Sequence, residues 1–337
     1  MATALTFPPR LRLAQTPTPL HPLDRLSAEI GGPRIWIKRD DMTGSAVSGN
    51  KIRKLEFTLA KAIDEGCDTV ITAGGVQSNH CRTTALLCAQ LGLHCHLLLR
   101  GEPDAAVDGN LLLDRLAGAA ISFYHNADYT RREQEIFSGW VEHYAQRGRR
   151  AFAVPIGASD GNGLWGYIAA CEELQQDFQR AEIQPRHIVA ATGSGGTQGG
   201  LTAGAALYDL GARVWGINVC DDEAYFLNKV AADIHQWRDW YSDLIAPDFD
   251  IHSLQVNVID GYVGRGYAQA GAEVFDLIKQ LARQEGVVLD PVYTGKAFYG
   301  MLEEIRKGRF DDSEDIVFVH TGGLFGLFPQ KQQLHFG

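Results

Sequence analysis

The 337-residue sequence lacks the marks of several large classes of protein. It has no apolar run near the roughly 20 residues that a membrane-spanning helix requires. It has no Cys-x-x-Cys pair: the six cysteines, at positions 67, 81, 88, 95, 171 and 220, are scattered and fall mostly on apolar faces. That spacing argues against a zinc site or a disulfide framework and reads as reduced thiols in a cytoplasmic protein. Positive charge is in deficit, with 31 Lys and Arg against 41 Asp and Glu and a formal net charge of −10. The basic face on which a nucleic-acid binder depends is therefore missing, although a local field can still draw in an anionic small molecule. The stretch Met1–Arg10 has no apolar segment of the secretory kind. Internal repeats and low-complexity segments are absent too.

What is present is ordinary globular material, 45% hydrophobic and 21% charged, in a length that suggests about two domains. The opening, as far as Pro33, is loop-rich, and Thr16-Pro17-Thr18-Pro19-Leu20 is an extended run incompatible with helix. Beyond it the pattern alternates. Strands are expected at 34–38, 69–72, 94–99, 120–124, 151–154, 187–191, 213–219, 255–258, 287–289 and 315–319. Helices are expected at 52–66, 78–91, 110–117, 131–146, 164–179, just after 197, and at 223–239, 267–284 and 295–307. This alternation implies an α/β fold of parallel sheets with helices on both faces. Pro155–Gly163 is a glycine-rich crossing that reads as a hinge between domains. Ligands of such folds sit beyond the carboxyl ends of the strands, so the turns there carry the interest.

Several of those turns are chemically loaded. Thr192-Gly193-Ser194-Gly195-Gly196-Thr197 runs from a strand into a helix. Its glycines let backbone approach an anion, the helix start offers free N–H groups, and Ser194 and Thr197 add hydroxyls. No Walker lysine and no acidic residue after a second strand accompanies it, so a monophosphate suits it better than a dinucleotide. Gln77-Ser78-Asn79-His80 is a second polar helix start, able to hold a carboxylate or to serve as a plain cap with a solvated His80. Asp290-Pro291-Val292-Tyr293-Thr294-Gly295-Lys296 could present Tyr293 and Thr294 to a cleft or plug a core, and His320-Thr321-Gly322-Gly323 repeats the glycine turn after the last strand. In Ser48-Gly49-Asn50-Lys51, Asn50 is a capping candidate and Lys51 opens a helix, where its charge opposes the helix dipole. The same positive end would lower the pKa of that amine, which suits a covalent anchor.

In this order and spacing the motifs resemble the fold-type II pyridoxal phosphate enzymes, and within them the D-cysteine desulfhydrase and 1-aminocyclopropane-1-carboxylate deaminase family. The resemblance rests on Thr16–Leu20, Ile37-Lys38-Arg39-Asp40-Asp41, Ser48–Lys51, Gln77–His80, Gly193–Thr197, Asp290–Lys296 and His320–Gly323. It implies two open, twisted, mostly parallel sheets of the tryptophan synthase β type. It also implies a large cofactor domain (1–48 with 163–337), a small substrate-side domain (49–162) and a homodimer. Lys51 would anchor pyridoxal 5'-phosphate and move the α-proton. Asn79 would meet the phenolic oxygen of the cofactor, and Gly193, Ser194, Gly195, Gly196 and Thr197 its phosphate. Ser78, Asn79 and His80 would take the substrate carboxylate, and Tyr293 and Tyr267 would face the reacting carbon.

Two positions separate the branches of that family. The deaminases carry Glu and Leu where this sequence has Thr294 and Thr321, as desulfhydrases do. A neutral hydroxyl leaves the cofactor ring a weaker electron sink than a carboxylate does, which suits expulsion of a good thiolate leaving group better than ring opening. The implied reaction is β-elimination from D-cysteine to pyruvate, hydrogen sulfide and ammonia. The family's Gly-Gly-Ser-Asn is here Gly157-Ala158-Ser159-Asp160, and its Gly-Tyr-Gly-x-Pro-Asn is Gly266-Tyr267-Ala268-Gln269-Ala270-Gly271. These departures keep L-cysteate sulfo-lyase, and further off the deaminase, as alternatives. A nucleotide-dependent oxidoreductase could claim the Gly193–Gly200 loop but leaves Lys51 and Ser78 unexplained, and a non-catalytic cofactor carrier would have no use for Tyr293.

Overall fold

The computed structural model describes residues 5–336. In chain order these residues form β1 (Leu20–Pro22), α1 (Asp24–Ile30), β2 (Arg34–Lys38), α2 (Asn50–Asp64), β3 (Thr69–Gly75), α3 (Asn79–Leu91), β4 (His94–Arg100), α4 (Gly109–Leu116), β5 (Ala120–Tyr124), α5 (Asn126–Ala145) and β6 (Ala151–Val154). There follow α6 (Trp165–Ala181), β7 (His187–Thr192), α7 (Gly196–Leu207), β8 (Arg213–Asn218), α8 (Glu223–Trp240), β9 (Asn257–Ile259), α9 (Ala272–Glu285), α10 (Thr294–Arg306) and β10 (Asp315–Val319). They build two sheets. The larger has the order β1-β2-β10-β7-β8-β9, parallel except for the edge strand β1, and the smaller is all parallel with the order β5-β4-β3-β6.

Each sheet is buried on both faces, which is why its strands are continuous apolar runs instead of alternating ones. One face of the larger sheet sets Ile35, Ile37 and Phe318 against Leu26 of α1, Ile278 of α9 and Met301 of α10. The other sets Ile188, Ala190 and Val317 against Tyr167 and Leu174 of α6 and Leu201 of α7. In the smaller sheet, Val70, Leu97 and Leu99 pack on α2 and α3. Ile71, Ala73 and Leu98 pack on Tyr129, Ile136 and Tyr144 of α5.

The expected α/β architecture stands, with local corrections. Residues 287–289 pair with no strand. Val287 and Leu289 are fully buried, so their alternation marks core packing, and the Val288 carbonyl takes a hydrogen bond from His320 Nε2 at 3.0 Å. The loop-rich opening conceals β1 and α1. Pro22 is tolerated in β1 because that strand lies at an edge. Helix α9 starts at Ala272, five residues later than expected, because Gly264 and Gly266 turn the chain with φ of +69° and +135°.

Candidate active site

The turns after β6, β7 and β10 meet at the start of α2, and α3, which follows β3, holds the chain just before it. Gly49, at φ +110°, lets that helix begin against the turn after β10: the Asn50 amide donates to the Thr321 carbonyl at 3.0 Å, and a side chain at Gly49 would strike that oxygen at 2.8 Å. Asn50 is the first helical residue and not its cap, and its Nδ2 instead reaches Thr197 Oγ1 at 2.9 Å. Lys51 follows. A side chain at Gly157 would collide with Ser194 Oγ and come within 3.2 Å of Lys51 Nζ. The amine thus lies between the turn after β6 and the loop after β7. Burial pushes its pKa down to about 8. The expectation of a lowered value holds, but enclosure is the main cause where the helix dipole was expected to be.

Around the loop after β7 a pocket is assembled. Ser159 Oγ donates to Ser194 Oγ at 2.8 Å and accepts from the Gly196 amide at 3.1 Å and from Lys54 Nζ at 3.2 Å. A side chain at Gly196 would meet Ser159 Oγ at 2.7 Å and Lys54 Nζ at 3.1 Å, and one at Gly193 would meet the Tyr293 ring at 2.9 Å. Gly195, at φ +88°, is the N-cap of α7. Thr192 Oγ1 is enclosed without a partner. Lys54 is fully buried and forms no ion pair with any described carboxylate. Burial, then the charge of Lys51, holds its pKa well below that of an ordinary lysine. A buried amine whose charged form lacks a counter-ion, beside a helix start and three hydroxyls, is a site for an anion. With an amine set to form a covalent bond nearby, the residues fit a phosphorylated aldehyde cofactor.

The third wall comes from β3 and α3. Ser78 caps α3, its Oγ accepting from the Cys81 amide at 3.2 Å, and a side chain at Gly74 would meet that oxygen at 2.5 Å. Asn79 Oδ1 accepts from Asn110 Nδ2 at 3.1 Å, which leaves the Asn79 amide nitrogen free to donate. His80 is not solvated: it is 2% exposed. Thr72 Oγ1 gives its proton to the Val154 carbonyl, so His80 Nε2 donates to Thr72 at 2.8 Å and Nδ1 is left enclosed without a partner. Burial, then the charges of Lys51 and Lys54, holds this imidazole neutral. Only its backbone is available to a carboxylate.

The tyrosines close the site. Their hydroxyls meet at 2.8 Å, with ring centroids 5.9 Å apart at 70°. Burial raises the pKa of both, so both keep their protons. Asp290 builds the turn beneath Tyr293, taking the amides of Val292, Tyr293 and Thr294 at 2.8, 2.9 and 2.8 Å. Thr294 belongs to this turn. Its hydroxyl donates to Asp290 Oδ1 at 2.7 Å and accepts from the Asp290 amide at 2.9 Å. Thr321, by contrast, keeps a hydroxyl without a hydrogen bond to any described residue.

Sequence reasoning passed over Lys54, Asn50, Ser159 and Lys296 as site residues. Lys54 had a signal, since three positions after Lys51 it lies on the same helical face. Lys296 had none. It is 1% exposed and donates to the carbonyls of Val263, Gly266 and Val219 at 2.6, 2.7 and 3.3 Å, fastening the loop that carries Tyr267 to the helix that carries Tyr293.

Three comparisons bear on this site. Residues 11–322 match the family described as "Pyridoxal-phosphate dependent enzyme". The chain is 39% identical over 331 residues to the mitochondrial bifunctional D-cysteine desulfhydrase/1-aminocyclopropane-1-carboxylate deaminase of Arabidopsis thaliana, covering 96% of this chain and 80% of that one. It is 38% identical over 336 residues to D-cysteine desulfhydrase of Klebsiella pneumoniae, covering 98% of each. Among solved structures, an ACC deaminase homologue superposes with a TM-score of 0.86 at 36% identity, over 97% of this chain and 95% of the other.

Proposed function

The chain belongs to the pyridoxal-phosphate dependent enzyme family, and we propose that it is a carbon–sulfur lyase that converts D-cysteine and water to pyruvate, hydrogen sulfide and ammonia. The observation that carries this reading is the enclosed Lys51 amine, set between a phosphate pocket and the two protonated tyrosines. When bound, pyridoxal phosphate supplies an electron sink for charge developing at the substrate's α-carbon.

The chain supplies the rest. Lys54, Ser159, the Gly196 amide and Thr197 hold the phosphate, and the Asn79 amide donates to the phenolic oxygen. Ser78 and the free N–H groups at the start of α3, those of Asn79 and His80 included, take the substrate carboxylate. Lys51, whose lowered pKa of about 8 gives it a larger neutral fraction near physiological pH than an ordinary lysine has, holds the cofactor and then moves the α-proton. Tyr267 and Tyr293, kept protonated by burial, face the β-carbon and can give a proton to the departing sulfur. Of the two threonines that separate the family's branches, Thr321 is the one whose hydroxyl makes no hydrogen bond to a described residue. A neutral partner there favours elimination over cyclopropane opening. The same reading carries a homodimeric, cytoplasmic enzyme whose two lobes follow the two sheets.

The test is pyruvate release from D- and L-cysteine by the purified protein, together with a visible absorbance that hydroxylamine removes. Absence of that absorbance, or a protein that turns over 1-aminocyclopropane-1-carboxylate but neither cysteine, would defeat the proposal.

A further inference from the structure

One buried cation beside the site is matched by carbonyl groups alone. Lys296, the third residue of α10, donates to the carbonyls of Val263, Gly266 and Val219 at 2.6, 2.7 and 3.3 Å. Three accepting oxygens call for three N–H bonds, which a lysine has only in its charged form. The carbonyls therefore hold it as ammonium against burial, which lowers its pKa. It forms no ion pair with a described carboxylate. Asp290, whose charge it feels, is taken up by the amides of its own turn. The three oxygens come from separate parts of the wall. Val219 follows β8, and a side chain at Gly193 of the phosphate loop would touch it at 3.5 Å. Val263 and Gly266 lie in the segment that carries Tyr267. That segment is fixed at its start by Tyr262, whose hydroxyl donates to Glu304 at 2.6 Å, and near its end by Ala270, packed on the core. Between those anchors, among the described residues, only the two bonds from Lys296 and the Tyr267–Tyr293 bond tie residues 263–269 to the rest of the protein.

Carbonyl oxygens gathered around one positive charge are a means of holding a hard cation, because they stand in for its water of hydration. An ammonium group has the charge of a potassium ion and nearly its size. A lysine delivers that charge on a fixed stem, so no ion has to be captured from solution. Without it, three carbonyl dipoles converge with their negative ends together and no partner, which is unfavourable in an enclosed place. The part free to relieve this is the segment 263–269, and its movement takes Tyr267 away from Tyr293.

We propose that Lys296 is a tethered monovalent cation: it gathers the carbonyls of Val219, Val263 and Gly266 and so positions Tyr267 over the site, and the cage left when its side chain is cut back accepts a free potassium or ammonium ion in its place. Lys296 is thus a positioning residue, which touches neither substrate nor cofactor and acts through Tyr267. The effect on turnover rests on the role given above to the two tyrosines. The cage itself does not, since it is a property of the loop.

The experiment compares wild-type holoenzyme with Lys296→Ala, which empties the cage, and Lys296→Met, which fills it with an apolar chain. Each is measured in the chlorides of potassium, ammonium and tetramethylammonium at one ionic strength. Two quantities are read: pyruvate release from D-cysteine, and amide hydrogen exchange over residues 261–271. In tetramethylammonium, Lys296→Ala should lose roughly tenfold or more in kcat with little change in KM, because a positioned proton donor is displaced, and its loop should exchange faster than that of the wild type. Potassium or ammonium should restore at least about fivefold of the rate and most of the protection, by binding the closed loop. Wild type and Lys296→Met should respond to neither ion by more than about twofold. In the double variant Lys296→Ala with Tyr267→Phe, the ions should still protect the loop but no longer restore the rate. The proposal fails if potassium and ammonium restore neither quantity in Lys296→Ala, or if they act equally on Lys296→Met. If Lys296→Ala does not fold, Lys296→Gln, which keeps two donors but no charge, decides by exchange: faster exchange confined to 261–271 is expected, and protection equal to wild type overturns the tether. A wild type that releases no pyruvate defeats the lyase reading and leaves the exchange measurements to decide the role of Lys296.

Discussion

Helix α2 buries two kinds of cation within one turn. Arg53 is fully enclosed and fully paired: it meets both oxygens of Asp40 at 2.8 Å and those of Glu173 at 2.7 and 3.0 Å. Asp40 also takes Thr18 Oγ1 at 2.8 Å and the Tyr167 hydroxyl at 2.7 Å. Burial alone would lower the pKa of this guanidinium, but Asp40 and Glu173 outweigh it and hold the value above the ordinary one. Lys54, the next residue, is equally enclosed, and its partners, the Ser159 hydroxyl at 3.2 Å and the Lys51 amine, include no anion. The difference separates structure from function. A paired buried charge is already satisfied and braces α2 against α6 and the strand-β2 turn. An unpaired one is destabilising until a ligand arrives, and it persists where binding requires it.

Removing the amine at the centre of the unpaired side should have the largest effect. Lys51→Ala is expected to lose at least about a thousandfold in pyruvate release, since proton transfer by a placed base alone is worth that much, along with the absorbance of covalently held cofactor. A variant that keeps turning over substrate removes Lys51 from the mechanism. The paired side should fail differently. Asp40→Ala strands Arg53 with half its partners and should cost about 3–5 kcal/mol of stability, read by denaturant melts. Burial would raise the Asp40 carboxyl, yet Arg53, then Lys38, hold it below the ordinary range. Its contribution is therefore complete above the unfolded value of about 3.9 and is lost as pH falls through the lower folded one. The acid limb of stability should flatten in Asp40→Ala, and an unchanged limb would show that the pairing contributes nothing.

Lys54→Met sharpens the contrast. In cofactor-stripped protein it should leave stability unchanged or higher, because it removes a buried amine that has no counter-ion, whereas Arg53→Met should lower it. The same Lys54→Met should weaken cofactor binding by about ten- to a hundredfold through loss of a charge-assisted contact. Binding equal to wild type would mean that the pocket does not hold the phosphate. Capture of cofactor by stripped protein follows the neutral fraction of Lys51, whose value is about 8. Its rate should rise about tenfold from pH 7 to 9 and then level off, where an ordinary lysine would climb about a hundredfold and keep climbing.

Much of this was legible from residue pattern, and the misses have a physical cause. Strand and helix order came from apolar runs and periodicity, which is local information. Asn50-Lys51-Ile52-Arg53-Lys54 puts three cations in four positions, and nothing local says which will be neutralised. That depends on Asp40, 13 residues before Arg53, and Glu173, 120 residues beyond it. Thr294 looked like a cleft residue because its motif does sit at the site, but its hydroxyl serves Asp290 within its own turn. Val287 and Leu289 alternate as a strand would, because core burial and ladder burial leave the same trace in a three-residue stretch.

The walls on the two sides of α2 also differ. Toward Arg53 the helix packs on the regular α6, close enough that a side chain at Gly166 would meet Arg53 backbone at 2.5 Å. Toward Lys51 it faces the turn at 156–158, where Ala158, fully buried, is held at φ +47°. Ala268, beside Tyr267, is at φ +57°. Both stand where the family resemblance led us to expect glycine. The left-handed conformation remains, so the alanines add strain to a retained backbone, about 1 kcal/mol each. Ala158→Gly and Ala268→Gly should therefore each raise stability by up to about 1 kcal/mol, offset in part by the freedom glycine adds to the unfolded chain. Their kcat/KM for pyruvate release should stay within about twofold of wild type, since the substitutions relieve strain in a retained backbone. A large change in kcat/KM, with stability unchanged, would mean that the strained alanines shape the pocket and that the unpaired side is tuned by its wall as well as by its basic groups.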